Sequence, residues 1–89
     1  WVLMAPKGSS GCRLLLARAA SPDQLAAIGD QSGGRVFLFL HTDDHEGDVA
    51  RMKGNGVEFA REPEVQPWGI VAVFKDLYGN LWDLIQPNR

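Results

Sequence analysis

Apolar residues fall in short runs separated by polar or Gly/Pro-rich stretches, and the spacing inside each run separates strand from helix. Trp1-Val2-Leu3-Met4-Ala5 predicts a strand over residues 1–5. Pro6 to Gly11 supplies the dihedrals of a reversal. A second strand over 12–18, Cys12 to Arg18, completes a hairpin. Residues 19–34 are small and polar, and form a linker. Within it, Ser21-Pro22-Asp23-Gln24 has helix-start chemistry, a Ser cap with Pro at the first position, and predicts a short helical turn. Residues 35–42 are the clearest strand. They are apolar on both parities, which predicts that both faces are covered. Asp43 and Asp44 then cap a helix over 45–54, with Glu46 three residues after Asp43 in capping-box spacing. Val49 and Met52 mark its buried stripe, and Gly47 and Gly54 each weaken it by about 1 kcal/mol relative to Ala. Gly56 stops the helix, and Val57-Glu58-Phe59 reads as a short strand. Residues 61–68 hold Pro63 and Pro67 and predict an irregular loop. Runs 69–75 and 81–86 close the chain as a hairpin around Asp76-Leu77-Tyr78-Gly79-Asn80. From residue 35 the order is strand, helix, strand, strand, strand: an α+β unit with one helix over one face of a four-stranded sheet.

Asp83 breaks this pattern. It lies mid-strand between Trp82 and Leu84, where acids are depleted and costly to bury. It therefore has a partner, a pocket or an open face. Candidate partners are a neighbouring strand's side chain or Arg13, Arg18 or Arg35. On the central strand, Phe37, Phe39 and His41 share one face, and Val36, Leu38, Leu40 and Thr42 share the other. The aliphatic face suits packing under the helix. The aromatic face then lines a wall with Asp83, with Trp68 at its rim, unless these aromatics only fill the core. His45 sits in the first helical turn among acids and is expected to be solvated. Gly79 and Asn80 are turn residues. Cys12 is read as an inert small apolar residue, and Gly33-Gly34 is too short for a phosphate-binding loop.

Composition removes several classes of function. The 89 residues suit one domain or part of one; net charge is −2 and 45% of residues are hydrophobic. No basic run appears, so nucleic acid and anionic membrane are poor partners. No apolar run approaches the ~20 residues of a membrane span. The single cysteine closes no intrachain disulfide, which suits a reducing, cytoplasmic setting. A start inside an apolar strand at Trp1 predicts that residues upstream are missing.

Two segments resemble the vicinal oxygen chelate superfamily, which includes glyoxalase I, bleomycin-resistance proteins and extradiol dioxygenases. One is Val36 to Asp44 with Gly56-Val57-Glu58-Phe59 after the helix; the other is Val73 to Leu84, similar to the family's closing turn and final strand. The resemblance implies paired βαβββ modules whose curved sheets enclose a pocket. Residues 1–18 would end a first module, 19–34 would link, and 35–87 would form the second module. It also implies a homodimer. Metal-using members draw His or acidic ligands to a divalent ion such as Zn, Fe, Mn or Ni. Here the closing-strand ligand falls on Asp83, the first-strand His falls near Phe37, and Arg13 to Leu15 offer no acid. The expected function is binding of a small, partly aromatic or apolar molecule by Phe37, Phe39, His41, Trp68 and Asp83, without the usual metal site. Two alternatives stand beside it. One is a metal-dependent lyase, isomerase or dioxygenase with Asp83 as ligand and His41 as acid–base, completed by missing strands or a partner chain. The other is an inactive dimerising fragment.

Overall fold

Six strands and two helices emerge in the computed structural model, which describes residues 2–88. Strands β1 (Val2–Met4) and β2 (Leu14–Leu16) pair antiparallel as a separate hairpin. Trp1, the expected first residue of that strand, lies outside the described residues. Helix α1 (Pro22–Ala27) starts as the local chemistry dictates. Ser21 Oγ accepts from Gln24 N at 3.2 Å, and Gln24 Oε1 returns an acceptor to Ala20 N at 2.6 Å.

The expected βαβββ order follows as β3 (Val36–His41), α2 (His45–Gly54), β4 (Phe59–Gln66), β5 (Gly69–Lys75) and β6 (Leu81–Pro87). The sheet order is β3-β6-β5-β4, with β3 parallel to β6 and the other pairs antiparallel. A helical crossover between β3 and the three-strand meander is what permits the parallel pair. Helix α2 is capped by Asp44, which accepts from Gly47 N at 3.2 Å. Thr42 Oγ1 donates to Asp48 Oδ2, and the loop is fixed before the first turn.

The core lies between α2 and one sheet face. Val49 and Met52 meet Leu40, Phe74, Leu84, Val57, Phe59 and Trp82. Phe74 stacks on Trp82 with centroids 5.8 Å apart and meets Phe59 at 6.0 Å. Leu84 and Ala72 are fully buried. Burying one such large side chain contributes about 1.5–3 kcal/mol.

Three expectations are corrected. β3 is covered on one side only: its residues alternate between half-buried and exposed, and Phe39 is 61% exposed. Helix α2 packs on the Leu40 side, whereas Phe39 on the other side stays exposed. His45 is not solvated but 2% exposed. Its Nε2 stands 2.9 Å from Leu84 O, and its backbone N donates to Gln86 Oε1 at 2.7 Å. A carbonyl only accepts, so Nε2 carries the proton. Finally, the expected proline loop is strand β4. Pro63 lies within the second of two register shifts of this edge strand, between Arg61 and Glu64, where a missing N–H is tolerated. Cys12 precedes β2 and is exposed.

Candidate ligand-binding face

Strand register builds the site. On the sheet face away from α2, Cα partners form a row across all four strands: Phe39, Asp83, Val73, Arg61. A second row runs beside it: His41, Ile85, Val71, Glu64. The rows put an apolar floor of Val71, Val73 and Ile85 at the centre. Phe39 and His41 stand along one edge, with ring centroids 6.5 Å apart and nearly edge-on. Arg61 and Glu64 stand along the other, and Glu64 Oε2 accepts from Gln66 Nε2 at 3.3 Å. Asp83 is the acid inside this frame.

Burial raises the Asp83 carboxyl above its ordinary value, and the Arg61 guanidinium pulls it back only in part. Among the described residues the carboxylate makes no hydrogen bond and no ion pair. Arg13, Arg18 and Arg35, the partners considered from sequence, are not the residues that influence it. The influence comes from Arg61, within the segment expected to be a loop. This half-buried acid on an apolar floor is a ready acceptor for a cationic or hydrogen-bond-donating guest.

The structure gathers Phe39, His41 and Asp83 as expected but separates two other candidates. Phe37 sits at the register shift between Val36 and Leu38. Its ring meets Trp82 edge-on at 6.3 Å, and Trp82 packs on the helix side. Trp68 is half exposed at the β4–β5 turn, where its carbonyl accepts from Asn88 N at 2.9 Å. That places it beyond the second row, at the end of the sheet. His41 also borders a shallow depression with Thr42, Asp43 and Pro87.

Arg61, Glu64, Val71, Val73 and Ile85 were missed from sequence. The hairpin signal could have found the valines: the turn at Asp76 to Asn80 pairs Lys75 with Leu81, which sets Val73 opposite Asp83. Nothing local announced Arg61. Another hollow, lined by Gly56, Val57, Lys75 and Tyr78, contains Asp76, but that acid is already engaged. Its oxygens accept from Tyr78 N, Asn80 N, Asn80 Nδ2 and Trp82 Nε1 at 3.0–3.2 Å. Burial would raise this carboxyl, but the hydrogen bonds outweigh it and hold it low.

Asp83 and His41 occupy different rows on adjacent strands, Glu64 lies two strands from Ile85, and Phe37 cannot ligate. Among the described residues no three His, Cys, Asp or Glu side chains gather for a cation.

The sequence matches the Glyoxalase/Bleomycin resistance protein/Dioxygenase superfamily over residues 2–84. It is 59% identical to an uncharacterized protein of Shewanella frigidimarina (strain NCIMB 400), over 99% of this chain but 65% of that one. Among solved structures, UcmS2 superposes with TM-score 0.79 at 26% identity, covering 96% of this chain and 68% of that one. TnmS3, an antibiotic binding protein from Streptomyces sp. CB03234, superposes with TM-score 0.71 at 35% identity, covering 97% and 64%. The chain thus spans about two thirds of the length of these proteins.

Proposed function

This chain belongs to the glyoxalase/bleomycin resistance protein/dioxygenase superfamily, and from that premise we propose that it binds a small, partly aromatic or apolar molecule over its open sheet face. One observation carries the proposal: an acid without a hydrogen bond among the described residues, half-buried beside Phe39 and Val73 on an apolar floor. A guest's cationic or donor group meets Asp83 and restores the solvation that burial removed. Phe39 offers a ring face, and His41 orients the guest from the next row. The similarity to an antibiotic-binding protein supports sequestration rather than turnover. Sequestration needs no metal. The protein works as a homodimer in the cytoplasm, where two copies cover each other's apolar surface.

A naphthalene cation tests this. Saturating 2-naphthylmethylammonium is expected to raise the unfolding temperature; at a hundredfold excess over Kd the gain corresponds to about 2.7 kcal/mol. Asp83→Asn, which keeps the shape and removes the charge, abolishes the gain. An equal gain in the variant would remove Asp83 from the site. Stoichiometric metal in the purified full-length protein would turn the assignment toward the enzymatic alternative.

A further inference from the structure

We infer that Arg61 is a second anchor of this site and that its guest is bipolar, with a cationic or donor group for Asp83 at one end of a flat apolar body and an anionic group for Arg61 at the other. This deepens the proposed function and rests on it.

The backbone of β4 departs from regularity to bring Arg61 here. Phe59 pairs with Phe74 on the helix side. Strand alternation alone would put Arg61, two residues on, on that same side. Instead the register slips by one residue between them, and Arg61 pairs with Val73 on the open face. Glu62 turns back to the helix side, where Lys53 Nζ donates to both its oxygens at 2.7 and 2.8 Å. A second slip then sets Glu64 opposite Val71, again on the open face. Each irregularity moves one charged residue from the helix side to the floor's border.

Arg61 is also unspent. Among the described residues it makes no hydrogen bond and no ion pair, and neither does Asp83. The two opposite charges share a row with Val73, only 7% exposed, between them. Their Cα atoms are two strand intervals apart, on the order of 10 Å. A cation meant only to neutralise Asp83 would close on it as an ion pair; this one stands off across an apolar strip. Glu64, the other acid along this edge, is bonded by Gln66 in the neighbouring row. The strip between the two charges suits a flat ring system bearing a charge at each end.

Three probes on one scaffold separate the outcomes: 2-naphthylmethylammonium, 2-naphthoate and the bipolar 6-(aminomethyl)-2-naphthoate, each titrated by calorimetry. The bipolar probe is expected to bind at least tenfold tighter than either singly charged one. Arg61→Gln brings it down to the level of the cation, whose own binding tightens because a like charge has gone. Arg61→Lys restores part of the bipolar preference. If Arg61→Gln leaves that preference intact while Asp83→Asn still weakens the cation, Arg61 is no anchor and the binding face survives. If Asp83→Asn changes nothing, or no probe binds, the face itself is wrong and this inference goes with it.

Discussion

Asp83 shows how one side chain can work against the fold that holds it. Burial disfavours its charged form more than Arg61 favours it, so its folded-state value lies above the ordinary one. In the window between those values the folded state holds the proton more than the unfolded state does. Stability from this group therefore falls as pH rises through the window, and the penalty is fully present above it. Asp83→Asn removes the penalty. The variant is expected to melt higher than its parent at neutral pH, with the difference closing as pH drops below the carboxylate range. Thermal unfolding across a pH series reads this directly. A variant that melts lower at neutral pH would reveal a stabilising partner for the carboxylate. His45 gives the opposite lesson in legibility. Its sequence neighbours are acids, which suggested water, but its acceptor is the carbonyl of Leu84, 39 residues away. No local pattern carries a contact of that range.

Elements were legible where local chemistry decides them. The α2 boundaries follow from Asp44 and Gly56, the stripe from Val49 and Met52, and the last hairpin from its turn. Strand β4 was hidden because Pro63 and the register slips erase a period of two, and a strand without its period looks like a loop. The β4–β5 turn depends on a residue whose role the sequence also concealed. Gly69 has φ 156°, and a Cβ there would strike Gln86 O and come within 3.0 Å of Pro87 Cα on β6. Gly69→Ala is expected to destabilise the protein by about 2 kcal/mol, through an unfavourable dihedral and a push on the central strand pair. Chemical denaturation measures it. An unchanged midpoint would mean that β6 yields at no cost.

At the scale of the molecule, the four-stranded sheet with α2 holds the buried apolar residues, and the β1–β2 hairpin buries none of its own. Val2, Leu3, Met4, Leu14, Leu15 and Leu16 are all exposed, so both faces of the hairpin are apolar and open. A patch of this kind calls for cover. The linker ties this arm to the sheet near one point, where Gln31 N donates to Asn80 Oδ1 at 3.2 Å. Leu3 and Leu15 are Cα partners. Replacing them together, Leu3→Lys with Leu15→Glu, keeps an attractive cross-strand pair while removing apolar surface. Sedimentation velocity is expected to show a dimer for the parent and a monomer for the double variant. A parent that sediments as a monomer would assign that surface to something other than a second copy.

The two slips in β4 have a consequence for how the proposed site would change its guest. Each amounts to one extra residue, so losing Ala60 would absorb the first slip and leave Arg61 opposite Val73, whereas gaining one residue after Ala60 would put the newcomer there and turn Arg61 toward the helix. Gaining one elsewhere along the strand would deliver a different charge to the same border. Length, rather than substitution, is then the shortest mutational step between one ligand preference and another, and the scaffold beneath needs no redesign to accept it.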